Sequence, residues 1–461
     1  MSLVYNHKAL LLWMLFSIAL VSGCDSELDI PPLAPPDMSS KDLPDSMFSN
    51  MDMSDIMDLD LVDQGMPDQM VDQATEPSCI GGSRFGLKTD LVSFTSSIDN
   101  TQSAPRFASL DQNQWGVIWL TQNEEGSNVL YFQRVNREET EWNAVGEPLF
   151  LGRSQGAQHQ VHATNTGFTV LWINQTNSSL SQEGIFIASI DQEGQLTQPP
   201  SPVPQSFGTQ YLDSQWKNGL GGMLIYSKMG QGLVSSLFDH TGVIGETHVI
   251  SGPDNIRSPQ LVFGGGGWAT SWISVSETQT LIYLALLSEG GSLIGDPKVI
   301  DTQSTPIPPL RIGYGNGSYI LGYSINDPRV IGNEPNRLIL DVRLLDENGS
   351  NLGQFVITDG EGNLRLSSIA WLNPSIFALV WQDYKAPYAA LGISRINELG
   401  QPLSPVYYQT ESPSLLAEAY ISGNPSEGFG ILTQDPNPSP TGLYSEESRL
   451  AFMHFGVCEE D

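Results

Sequence analysis

The apolar positions of this chain come in short runs that repeat. Between residues 104 and 458 a stretch of five or six residues closes on an aromatic again and again: "WGVIW" ending at Trp119, "FTVLW" at Trp172, "GGMLIY" at Tyr226, "WATSW" at Trp272, "YILGY" at Tyr323 and "FALVW" at Trp381. "GFGILT", ending at Thr433, is a degenerate seventh. Successive spacings are 53, 54, 46, 51, 58 and 52 residues. Turn formers keep step with the runs. Before them stand "TNTG", "KNG", "GGGG", "GNG", "NPS" and "NPSEG"; after the following strand come "DQEG", "DHTG", "SEGG", "DENG" and "NELG". Gly and Asn at such places accept positive φ, and Asp starts a reversal through its own side chain. Long amphipathic helical patterns are absent, so each unit has room for about four strands of five to eight residues.

Repeats of about 40–50 residues carrying four strands are what a β-propeller requires, one four-stranded sheet per blade. The expected fold is therefore all-β, a propeller of seven blades; tandem β-sandwiches with irregular hairpins are the alternative. The last unit has three recognisable strands, at 415–421, 428–433 and 448–457, while "FGLKTDLVSF" (85–94) precedes the first repeat without a blade of its own. If that early strand completes the last blade, the ring closes. The blade units then fall at roughly 104–153, 154–205, 206–254, 255–304, 305–362, 363–411 and 412–458 plus strand 85–94.

The amino terminus changes the picture. Lys8 followed by the thirteen-residue apolar run Ala9–Val21 has the length of a signal peptide core, short of the ~20 residues needed to span a bilayer. Val21-Ser22-Gly23-Cys24 resembles the lipobox of bacterial lipoproteins, which implies cleavage after residue 23, acylation of Cys24 and an envelope location, periplasmic or surface-exposed. Residues 25–78 hold twelve Asp, two Glu and one Lys, together with seven of the twelve Met. Low aromatic content and high like charge mark this segment as a disordered tether, with a span of roughly 40 Å as a coil. Asp58, Asp60 and Asp63 lack the glycine turn and closing Glu of a calcium loop. Met/Asp-rich spacers of this kind resemble those in lipoproteins of predatory or myxobacteria-like species.

Residues 79–461 form the repeat domain and carry 18 Lys and Arg against 38 Asp and Glu. Without cationic patches this argues against nucleic acid and against anionic headgroups as partners; the membrane contact expected is the lipid on Cys24. With that cysteine acylated, Cys79 and Cys458 remain as an even pair in an oxidising compartment, most simply a disulfide. Ring closure brings them near each other, and a loop of this length is worth about 4–5 kcal/mol on the chain-entropy model.

The domain resembles β-propeller lipoproteins in general over about 83–458. The Gly-His…Trp-Asp repeat signature, the double-Gly kelch signature and D-x-D-x-D-G calcium loops are missing. "SLDQNQW" (Ser109–Trp115) faintly resembles the sialidase Asp box, but it is one residue short, lacks the glycine and occurs once.

Candidate chemistry is sparse. His159 and His162, three apart on a strand, point to opposite faces; they read as surface or blade-edge residues, not as joint metal ligands. His240 falls in a turn and His454 in the last strand. G-x-S-x-G, a phosphate-binding glycine loop and H-E-x-x-H are absent, "FGGGGW" (263–268) reads as a hairpin turn, and no cofactor or metal site is indicated. The loops after the aromatic strands gather on one face of a propeller, and Asp327, Asp383 and Asp435 stand there in three consecutive units. They are the candidate binding residues, with a turn-forming role as the plainer reading because Asp327 and Asp435 precede Pro. The strand-end aromatics read as blade-to-blade packing before a stacking platform. The leading expectation is a non-enzymatic, membrane-anchored binding or scaffolding propeller that recognises a protein or glycan through its loop face. The alternative is a glycoside hydrolase or lyase using loop-face carboxylates; a structural subunit of an envelope machine is a third reading.

Overall fold

The computed structural model describes residues 85–87, 92–94 and 102–457, apart from 112, 139–140, 175–183, 244, 253, 277–278, 303–305, 330–336, 358–362, 372–375, 386–387, 398–405, 410–419, 425–427 and 437–447; side chains are described between 104 and 397. The strands assemble into seven antiparallel sheets, six of them built from consecutive strands in the order first, second, third, fourth. The first strands are Gln102–Ser109, His159–Thr164, Thr209–Lys217, Asn255–Gly264, Ile307–Gly315, Leu364–Trp371 and Tyr420–Asn424. Each lies against the first strand of the next sheet, and that of the seventh lies against that of the first. The sheets are therefore blades around an axis lined by their first strands, a closed seven-bladed propeller.

Closure follows the route expected from the sequence. Phe85–Leu87 and Val92–Phe94 both pair with Ser448–Val457, the third strand of blade 7, with Phe85 opposite Val457 and Phe94 opposite Leu450. The seventh blade is thus completed by the chain's earliest described strands. Cys24, Cys79 and Cys458 lie outside the described residues.

The radial position of a strand explains its composition. Second strands are covered on both faces by neighbouring blades, and they read as continuous apolar runs: Gly167–Asn174 ("GFTVLWIN") and Gly267–Val275 ("GWATSWISV") are buried almost throughout. Fully covered strands need no polar alternation. Fourth strands form the rim and are half exposed, as in Leu196–Pro202 ("LTQPPSP"). Proline is tolerated there because the outer edge donates to no further strand. The strand-end aromatics Trp119, Trp172, Tyr226, Trp272, Tyr323 and Trp381 are all fully buried. They pack blades together and offer no open platform. Trp172 fills the apolar wedge between its own blade and blade 1, with Leu130, Phe132 and Leu151 of blade 1 around it; burying such a side chain contributes about 1.5–3 kcal/mol.

The turn chemistry holds in detail. Asp191 and Asp346 accept from backbone N–H groups four residues on, Gln195 N at 2.7 Å and Ser350 N at 2.7 Å. Gly264 and Gly267 pair across a two-residue turn whose Gly265 and Gly266 have φ of 63° and 81°, so "FGGGGW" is the hairpin its glycines indicate.

Candidate functional site

The loop-face aspartates are the first residues to place. Asp327 directly follows the second strand of blade 5 (Ser318–Asn326) and is 4% exposed. Both its oxygens are held by Arg329, Oδ1 by Nε at 2.9 Å and Oδ2 by Nη2 at 2.9 Å, and Oδ1 also accepts from the Arg329 backbone N–H. Arg337 adds an ion pair at 3.3 Å. The Arg329 pair holds this carboxyl below the ordinary carboxylate range, against the opposing effect of burial. Such an oxygen pair clamps the loop, since two guanidinium groups keep it ionised. Asp383 is 2% exposed near the end of the second strand of blade 6, opposite Leu364. Asp435 sits in the second strand of blade 7, opposite Arg449; its side chain lies outside the described ones. The three stand on the same face in successive blades, and nothing described joins their carboxylates to one another.

A different set is brought together, on the first strands. In every blade one first-strand residue sits opposite the residue just before the strand-end position: Arg106 opposite Ile118, Gln160 opposite Leu171, Asp213 opposite Ile225, Gln260 opposite Ser271, Arg311 opposite Gly322, Ser368 opposite Val380 and Tyr420 opposite Leu432. These equivalent positions form a ring at one level around the axis. All seven residue types carry a charge, amide or hydroxyl. Five of the strands that carry them have a register shift just ahead of the ring position or within a few residues of it. Bulges re-aim side chains and collect beside active sites. At Ala104-Pro105-Arg106 and Ser258-Pro259-Gln260 the residue before proline has φ of 48°, a left-handed conformation that lifts the following residues out of register.

Hydrogen bonds join the ring into a belt. Gln160 Nε2 donates to Asp213 Oδ1 at 2.8 Å, and the Leu261 backbone N–H donates to Asp213 Oδ2 at 2.7 Å. Asp213 thereby spans blades 2, 3 and 4. Arg311 Nη1 donates to Gln260 Oε1 at 3.3 Å and its Nε to the Ser367 carbonyl at 2.6 Å, spanning blades 4, 5 and 6. Beside the belt, His162 Nε2 is 2.7 Å from the Ser214 hydroxyl, and His159 Nε2 is 2.7 Å from the Ala104 carbonyl. The expectation that both histidines lie on the surface or a blade edge is corrected: they sit on the first strand of blade 2, His159 fully buried between blades. Period-two alternation separated their faces correctly but carries no radial information.

Among the described residues, Asp213 is the one carboxylate on the seven first strands. It is 8% exposed. Burial pushes its carboxyl up to about 6, while the Leu261 N–H, Arg311, the Ser214 N–H and Arg106 pull the other way. Burial pushes His162 down to about 4, so it is neutral at pH 7. An acid still substantially titrating near neutrality, fixed by two donors and flanked by cations, is equipped to give or take a proton. No cluster of three or more His, Cys, Asp or Glu able to hold a metal occurs among the described residues.

No protein-family model matches the chain, and no curated protein does. Solved structures do resemble it. The β-propeller domain of the Trilobed protease from Pyrococcus furiosus is 10% identical, covering 77% of this chain and 96% of that one, with a TM-score of 0.45. The GH43 endo-arabinanase from Bacillus licheniformis is 15% identical, covering 56% and 98%, with a TM-score of 0.33. The catalytic domain of the Coprinopsis cinerea GH62 alpha-L-arabinofuranosidase is 11% identical, covering 81% and 96%, with a TM-score of 0.37. At these identities the likeness is one of fold alone. The solved neighbours are mostly glycoside hydrolases, and the leading expectation of a non-enzymatic binding or scaffolding propeller is corrected on that finding.

Proposed function

We propose that the repeat domain is a glycan-cleaving enzyme of the glycoside hydrolase type, with Asp213 as its general acid. The observation that carries this reading is the place and state of Asp213: the lone first-strand carboxylate among the described residues, buried, bonded to Gln160 and Leu261, and still able to hold a proton near pH 6. A raised pKa is what protonation of a leaving glycosidic oxygen requires. Hydrolysis also needs a second carboxylate. Asp383 does not supply it: it stands three residues beyond Val380, the partner of the ring residue Ser368, about 10 Å nearer the loop face along the axis and three blades round the ring from Asp213.

A second reading has its own support. One acid between Arg106 and Arg311 also suits a lyase, in which the carboxylate abstracts a proton beside an anionic group that the arginines neutralise. The two separate by pH. An acid-dependent hydrolase loses kcat/KM as pH rises through about 6, and a base-dependent lyase gains it. The test is release of reducing ends and of unsaturated product from arabinan, xylan, β-1,3-galactan and polygalacturonate by the full chain and by Asp213→Asn. Activity on none of them, or activity unchanged by that substitution, removes Asp213 from the role.

We further propose that Cys24 carries a lipid and that Cys79 bonds to Cys458. The lipobox-like Val21-Ser22-Gly23-Cys24 supports the first; the pairing of Phe85 with Val457, next to Cys458, supports the second. Acyl labelling abolished by Cys24→Ser and peptide mapping of oxidised protein test them.

A further inference from the structure

The loop that leads from the rim of blade 2 to the first strand of blade 3 holds a bulky aromatic out in water. Phe207 is 49% exposed, two residues before the strand that carries Asp213, and Met229, in the loop after the second strand of the same blade, is 68% exposed. Both belong to the loop face, because Thr209 pairs with Lys228 at that end of the blade. The loop is rigid by construction. The Ser206 hydroxyl is fully buried, donates to the Val203 carbonyl at 2.7 Å and accepts from the Ile185 N–H at 2.9 Å. The Met229 N–H donates to the Gly208 carbonyl at 3.2 Å, and Lys228 Nζ donates to the Gln205 carbonyl at 2.8 Å. Gln205 has φ of 60°, a conformation that residues with a side chain rarely adopt, and Gly208 has φ of 79°. On the far side the Phe207 ring passes Gly184, with Cδ1 3.6 Å from where a Cβ would stand, an ordinary van der Waals contact.

Strain and fixed hydrogen bonds are thus spent on presenting an apolar ring to solvent, which inverts the usual reason for ordering a loop. We infer that Phe207, with Met229 beside it, is a sugar-stacking subsite that holds the apolar face of a pyranose or furanose ring at the loop-face end of the strand bearing Asp213. This rests on the glycan-cleaving reading above. Two side chains flanking Gly208 match one sugar ring and fall far short of the ~800 Å² that a stable protein partner needs per side. The domain's excess of 38 acidic over 18 basic residues disfavours an anionic membrane as the occupant. Aromatic rings take the C–H face of a sugar without a hydrogen-bond code, so this subsite would set affinity and leave the choice of scissile bond to the belt.

The experiment separates binding from cleavage. Full-length Asp213→Asn is run through native gels containing arabinan, xylan, β-1,3-galactan or polygalacturonate, alone and combined with Phe207→Ala, Phe207→Trp or Met229→Ala. We expect retardation by at least one polymer, weakened about tenfold in Phe207→Ala, retained or strengthened in Phe207→Trp and reduced less in Met229→Ala, with melting temperatures unchanged. Retardation indifferent to Phe207 overturns the subsite while leaving the cleavage reading intact. Retardation lost with Phe207 in a chain whose unsubstituted form cleaves none of these polymers upholds the subsite and sinks the cleavage reading. Absence of retardation by every polymer, or Phe207-dependent flotation with phosphatidylcholine/phosphatidylglycerol vesicles in its place, overturns the subsite.

Discussion

Two blade interfaces fill the same slot with opposite chemistry. In blade 2 the strand-end aromatic is Trp172, whose Nε1 donates to the Arg153 carbonyl at 3.1 Å, at the end of the fourth strand of blade 1. Around it the interface is apolar: Ile118, Leu130, Phe132, Val170 and Ile190. In blade 5 the equivalent residue is Tyr323, and it too reaches the last residue of the preceding blade's fourth strand. That residue is Asp301. The Tyr323 hydroxyl lies 2.8 Å from Asp301 Oδ2 and 3.0 Å from Asp341 Oδ2. Arg343 pairs with both carboxylates, at 3.1 and 3.4 Å, and Gln354 donates to Asp341 at 2.9 Å. Burial and the neighbouring carboxylate Asp341 push the Tyr323 phenol well above its ordinary range. The slot therefore requires only a large ring with a donor at its far end; what the donor meets is free to differ. The first interface loses one neutral hydrogen bond when cut, whereas the second strands two carboxylates.

The sharpest way to break the comparison is Arg343→Met. Removing the cation from a buried network leaves uncompensated charge and costs about 3–5 kcal/mol, seen as a lowered denaturant midpoint. A cost below that of Trp172→Phe would show the network to be solvated in practice. Next is Gly315→Ala, where an added Cβ would overlap the Trp371 ring of the following blade. Overpacking of this kind costs about 1–3 kcal/mol, and the companion Trp371→Leu should recover part of it. A smaller effect sharpens the apolar side. Trp172→Phe and Trp272→Phe remove the same volume, but the Trp272 indole N–H has no acceptor among the described residues. Trp172→Phe should therefore be the costlier by about 1 kcal/mol, the worth of one hydrogen bond.

The smallest effect is in pH. His162 is held neutral down to about 4, so the unfolded chain binds more protons below its ordinary 6.5 and stability falls as pH drops through 6.5–4. Asp213 retains its proton up to about 6, so the folded chain binds more protons between its ordinary 3.8 and 6, and stability falls as pH rises through that window. The two oppose each other over 4–6. Asp213→Asn removes one side, and its melting temperature should climb by a few degrees from pH 4 to 6.5 where that of the unsubstituted chain stays flatter.

The ring was legible because blade architecture writes itself locally. An aromatic closing six of the seven second strands and a Gly-bearing turn after five of the third strands are set by neighbours a few residues away. The closure of blade 7 could be read from a surplus strand at 85–94 and a deficit at the end. The belt was not legible in the same way. Asp213, Arg106 and Arg311 acquire meaning from lateral equivalence between first strands about 50 residues apart. A signal was present: Pro105-Arg106 and Pro259-Gln260 repeat a proline just ahead of the ring position. Asp327 was readable as a turn former from its Asp-Pro step; the arginines that clamp it were not, since Arg337 returns from beyond the loop.

The pairing of Phe85 with Val457 also constrains the order of assembly. The strands made earliest cannot find their partner until residues 448–457 exist, so blades 1 to 6 must stack while the disc stands open like an unclosed collar. During that interval Phe85–Leu87 and Val92–Phe94 have no partner, and once made the third strand of blade 7 presents an unguarded edge until they pair with it, the kind that recruits strands from other chains. A chain cut short of residue 448 would remain in that state, with aggregation rather than a smaller propeller as its fate.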